Sequence, residues 1–196
     1  MKLNTLSLGI IGLATTLATT NVAAEALDFS ISDHAAKLLF SSSIPGNDLS
    51  WSIEGLHFED NGSSANIIGA GAYVAGRSNA STARQTAGLG GKAIIVSAEG
   101  ADTGSGFALG GYIRHTLRQA NLISLRGEAF VAPNIIAFQG MSSYLEFSGR
   151  VEYQLLDQAN IYLGYRHVRA NLEFDNGFEG KYEFEDGVMA GVNILF

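Results

Sequence analysis

The stretch Gly187-Val188-Met189-Ala190-Gly191-Val192-Asn193-Ile194-Leu195-Phe196 decides the fold. Val188, Ala190, Val192, Ile194 and Phe196 fall on one face of an extended chain; Gly187, Met189, Gly191, Asn193 and Leu195 fall on the other. Side chains of a strand point alternately to its two faces, so this period of two predicts a β-strand. Its length is near the ~9–11 residues that carry a tilted strand across a bilayer. A final alternating strand with a terminal aromatic is what the barrel-assembly machinery of Gram-negative outer membranes recognises, which makes Phe196 the expected assembly signal.

The same period recurs upstream. In residues 144–155, Leu145, Phe147, Gly149, Val151, Tyr153 and Leu155 oppose Tyr144, Glu146, Ser148, Arg150, Glu152 and Gln154. In 123–131, Ile123, Leu125, Gly127, Ala129 and Val131 oppose Ser124, Arg126, Glu128 and Phe130. Residues 160–168 set Ile161, Leu163 and Tyr165 against Asn160, Tyr162, Gly164 and Arg166, and 107–114 set Phe107, Leu109 and Ile113 against Ala108, Tyr112 and Arg114. Further strands are expected at 27–32, 36–42, 49–57, 66–75 and 87–97. No segment keeps a 3.6-residue period. The connections 43–48 and 156–158 are short, whereas 58–65, 98–103, 133–140 and 175–180 are polar, glycine-rich or long. Two others, 78–85 and 115–121, are longer than the short class should be.

Composition narrows the class. The chain has 196 residues, 46% hydrophobic and 16% charged, against about 25% charged in ordinary soluble domains. It has no cysteine and a net charge of −7, which excludes a disulfide framework, a thiolate metal site and a generally basic nucleic-acid surface. Lys2, the uncharged apolar run 3–20 and Asn21-Val22-Ala23-Ala24 have the form of a secretory signal peptide. Residues 1–24 are therefore read as a cleaved signal, with cleavage after Ala26 the alternative, and 25–196 as one domain. Removing Lys2 leaves that domain at −8.

Two architectures bury one face of such strands. A sandwich puts the apolar face inside; a membrane barrel turns it to lipid and the polar face to the lumen. Strand length, the leader, the terminal aromatic strand, and Trp51, Tyr73, Phe107, Tyr153 and Tyr165 near strand ends as a girdle favour an antiparallel transmembrane β-barrel. Ten strands are expected, or eight if the first hairpin folds as one bent strand or lies outside. The inward faces then carry Lys92, Arg114, Arg126, Arg150 and Arg166 with Glu54, Glu128, Glu146 and Glu152. So small a barrel has little interior beyond its side chains, and buried charges must be paired. These nine are expected to form a lumenal salt-bridge network that closes or narrows the barrel. The acidic excess, including Glu59, Asp60, Asp102, Asp175, Glu179, Glu185 and Asp186, falls mainly on loops.

The expected function is a structural or small-pore role in the outer membrane, with outer-membrane lipids and, during biogenesis, the assembly machinery as partners. Two alternatives come from other classes. One is a lipid hydrolase at the outer rim, where His34, His57 and His167 lie near acids. The other is a soluble periplasmic β-sandwich that binds a ligand. No G-x-S-x-G elbow, H-E-x-x-H pair or EF-hand spacing is present, so no catalytic residue, metal or cofactor is expected. His115 is assigned to a connection.

Several runs resemble the YfaZ family of bacterial outer-membrane proteins: Gly127-Glu128-Ala129-Phe130-Val131-Ala132-Pro133, Tyr144-Leu145-Glu146, Arg150-Val151-Glu152-Tyr153-Gln154 and Tyr162-Leu163-Gly164-Tyr165-Arg166. The opening Leu27-Asp28-Phe29-Ser30-Ile31-Ser32 followed by Asp33-His34-Ala35-Ala36 is similar to the family's start. Leu89-Gly90-Gly91-Lys92 and Ala108-Leu109-Gly110-Gly111 are similar to its middle. The resemblance implies an outer-membrane barrel and brings no mechanism, substrate or cofactor.

Overall fold

A computed structural model describes residues 25–79, 83–174 and 179–196. The expected signal segment 1–24 lies outside them, as do parts of the 78–85 and 175–180 connections. The strands are β1 (Glu25–Ile31), β2 (Ala35–Ser43), β3 (Leu49–Asp60), β4 (Ser63–Asn79), β5 (Ala83–Ala98), β6 (Gly104–Leu117), β7 (Ile123–Ala132), β8 (Ala137–Phe138), β9 (Met141–Leu156), β10 (Ala159–Glu173) and β11 (Glu179–Leu195). Each of the ten long strands pairs antiparallel with two neighbours, and β1 with β11 closes the ring. The two-residue β8 extends the wall beside β6 after a single 3-10 turn at Asn134–Ile136. A single closed sheet leaves no second layer, which overturns the sandwich alternative.

Glu25 and Phe196 exchange backbone hydrogen bonds of 3.1 and 3.0 Å, so β1 and β11 meet at one rim. We call this the terminal rim and the opposite end the distal rim. The exterior is apolar between them: Leu89, Val74, Leu163 and Leu155 are 75, 62, 60 and 58% exposed. A continuous belt of such side chains is far larger than the apolar patch a monomer keeps in water. Near the terminal rim Phe40 packs on Trp51 and Phe196; higher up, Phe147 packs on Tyr165 and His167. Tyr73 departs from the expected girdle. It points inward, its hydroxyl oxygen accepts a hydrogen bond from the Ser52 hydroxyl at 3.2 Å, and its ring packs against Phe130.

The strands run further than the alternation suggested. Asn61 and Gly62, at φ 49° and 85°, form a two-residue turn, where a connection over 58–65 was expected. Two successive left-handed residues make the type I′ turn whose twist matches its strands. Likewise Ser78 pairs with Gln85 and Arg77 with Thr86 inside a continued ladder. His115 belongs to β6, and its Nδ1 lies 3.0 Å from the Gln85 amide, so it is not in a connection.

Candidate functional site

The lumen has two halves. The distal half is filled by packed apolar side chains, including Ile67, Ile94, Val96, Phe130, Val168, Leu172 and Phe184. Toward the terminal rim a cavity of about 210 Å³ remains, reaching Ala26, Ser43 and Leu195 at its mouth. Charged side chains occupy the middle and the cavity wall.

Under the apolar packing, four charges from four strands form a closed alternating ring. Lys37 of β2 lies 3.0 Å from Glu54 of β3 and 2.7 Å from Glu146 of β9. Lys92 of β5 contacts the same two carboxylates. The Tyr144 hydroxyl donates to Glu146 at 2.8 Å, and the Lys92 ammonium sits 4.7 Å from the centre of the Phe130 ring. Lys92 and Glu146 are each only 2% exposed. Because β9 stands across the barrel from β2 and β5, these bonds span the lumen. Glu54 also needs Gly69 beside it: a Cβ there would lie 2.9 Å from the Glu54 Cγ.

Nearer the terminal rim the arginines form a row. Arg114, Arg126 and Arg150 are in register on the adjacent strands β6, β7 and β9. Like charges directly opposite one another are unfavourable, and acids beside them offset this. Glu152 accepts from Arg114 Nε at 2.6 Å and Arg150 Nε at 2.8 Å. Arg150 also reaches Asp28 at 2.9 Å and stacks 4.0 Å above the Tyr162 ring. Arg126 lies 3.2 Å from Glu128 and 4.6 Å from the Tyr112 ring centre. Arg166 is a separate pair. Its Nε contacts Glu185, its Nη2 donates to Glu185 at 3.1 Å, and its Nη1 donates to Ser30 at 2.9 Å.

All nine sequence-derived residues thus face the lumen, but in three groups rather than one continuous web. Three partners were missed. Lys37 and Asp28 sit on the inward faces of β2 and β1. Glu185, assigned to a loop, is a buried wall residue, because Phe184 and Glu185 both point inward at a bulge opposite Val168 and Arg169. The alternation of Leu27, Phe29 and Ile31 against Asp28 and Ser30 carried the signal for Asp28. Phe196 lies outside, against Phe40.

A family model described as YfaZ precursor matches residues 8–196. The chain belongs to this family. No curated protein matches this YfaZ chain. Among solved structures it is similar to "KdgM porin in complex with disordered oligogalacturonate", at 14% identity and TM-score 0.39, covering 89% of this chain and 99% of that one. It is also similar to "KdgM porin", at 14% identity, TM-score 0.37 and the same coverages.

The histidines of the YfaZ chain are outside this lumen. His57 Nδ1 lies 2.9 Å from Asn66 Oδ1, and His34 Nδ1 lies 3.8 Å from Asp60. His167 lies 3.4 Å from Asp186. Among the described residues no serine or threonine hydroxyl hydrogen-bonds to a histidine. His167, Glu183 and Asp186 bring three potential metal-ligand atoms within 4.8 Å of one another. Glu183 already binds Lys181 at 2.6 Å, and Asp186 already accepts from Tyr165.

Proposed function

We propose that this chain is an integral outer-membrane barrel with a structural role, non-enzymatic, whose lumen is closed at rest, and that the terminal rim faces the periplasm. The observation that carries this reading is the lumen-spanning ring of Lys37, Glu54, Lys92 and Glu146 beneath the apolar packing. The apolar belt suits lipid, where a sheet satisfies every backbone group only when it is closed. Inside, each charge of the ring has an opposite partner, which offsets the desolvation that isolated buried ions would suffer. Such a lumen holds its own walls together and leaves no continuous water path.

The test is conductance of the purified protein in a planar bilayer, with heat-dependent gel mobility verifying the fold. A folded, silent barrel is the expected result. Discrete openings whose size changes with Glu146→Gln would overturn the closed reading in favour of a small pore lined by the same charges.

A further inference from the structure

The arginines of the row are each paired with an acid, yet two of them keep donors that the wall does not use. A guanidinium carries five N–H donors, yet among the described residues Arg114 and Arg126 each donate one hydrogen bond. Both line the 210 Å³ cavity, and their side chains remain 35 and 25% exposed. One acid, Glu152, serves two arginines of the row.

We infer that this cavity binds a small hydroxylated solute bearing a phosphate or carboxylate, entering at the terminal rim. Adjacent strands lie ~4.8 Å apart, so neighbouring guanidinium groups can address the oxygens of one anion, the geometry in which arginine excels. Tyr112 supports Arg126 from one side and so orients its fork. Ser41, Ser50 and Ser52 also line the cavity and offer neutral hydroxyl partners for the rest of the solute. The volume falls below the ~300–1,000 Å³ of pockets for drug-sized ligands, so the solute is of monosaccharide-phosphate size. The distal packing makes this a site of capture rather than passage; that direction of entry rests on the closed-lumen reading, while binding itself does not.

The experiment uses refolded protein in detergent and glucose 1-phosphate as probe, with glucose as control. Modification of arginines by phenylglyoxal is followed by mass spectrometry. Saturating glucose 1-phosphate is expected to slow labelling of Arg114 and Arg126 about tenfold, while the rim residues Arg77 and Arg118 and the glucose control stay unchanged. The combined Arg114→Gln and Arg126→Gln variant is expected to lose affinity about tenfold or more. Absence of protection in the folded wild type, or equal protection by glucose, would overturn the site. The wild-type footprint decides even if that variant fails to fold. Conductance recorded on the same preparation would sink the closed lumen without touching the footprint.

Discussion

Lys92 has almost no exposed surface and two carboxylates for company, so its removal strands charge rather than merely losing contacts. Lys92→Met leaves Glu54 and Glu146 sharing Lys37 alone. Breaking a buried pair from one side costs about 3–5 kcal/mol. The urea midpoint of the folded, heat-shifted species should fall accordingly, and replacing all four ring members by apolar residues of similar volume should restore most of it. An unchanged midpoint for the single variant would show that water reaches the ring. Gly110 and Gly88 offer a second comparison. A Cβ on Gly110 would run into the Ala129 carbonyl of the neighbouring strand, whereas one on Gly88 would lie 2.5 Å from the Tyr112 ring. A ring can swing aside and a ladder carbonyl cannot, so Gly110→Ala should lower the midpoint more than Gly88→Ala; the reverse order would refute this. At this scale the inward charges were legible wherever apolar and polar residues strictly alternate, as in Tyr144 to Gln154. Lys37 was obscured because Leu38, Leu39 and Phe40 follow it without alternation.

Elements were legible in number and blurred at their ends. An apolar face marks a strand only where it meets the belt; beyond it both faces turn polar while the backbone keeps pairing. Hence β4 and β5 continue through Arg77, Ser78 and Gln85, and β3 and β4 through Glu59 and Ser64 to the Asn61-Gly62 turn. That turn depends on a residue with φ of 85°. Gly62→Ala should cost about 1–2 kcal/mol, the penalty of a left-handed conformation with a Cβ, read as a lower urea midpoint without loss of the gel shift. No shift would mean that the turn relaxes to another type. At the bulge at Phe184 and Glu185 alternation misleads, since an inserted residue shifts the facing of everything before it. Reading β11 as an unbroken period of two therefore keeps Glu185 with Met189 on the inward face but sends the buried Phe184 outward with Val188.

The whole wall balances its charge. Asp28, Glu54, Glu128, Glu146, Glu152 and Glu185 match Lys37, Lys92, Arg114, Arg126, Arg150 and Arg166 within the lumen. Most of these are buried, and buried pairs are screened weakly by salt. Between ~0.05 and 0.5 M salt the urea midpoint should therefore hardly move, whereas a wide water-filled pore would lose stability over that range. Nine of these twelve charges followed from facing alone; their division into a ring, a row and a pair did not, because it depends on which strands stand opposite one another after closure.

The exchange of backbone hydrogen bonds between Glu25 and Phe196 has a consequence for the chain as a path. A ring of strands has no intrinsic first member; its beginning is wherever the covalent thread is cut. Joining residue 196 to residue 25 by a short linker and cutting instead in the Gly46 turn should give a permutant with the same wall, in which β3 leads and β2 comes last. What changes is only the order in which strands reach the membrane, so comparing the two chains separates what the finished barrel requires from what its insertion requires.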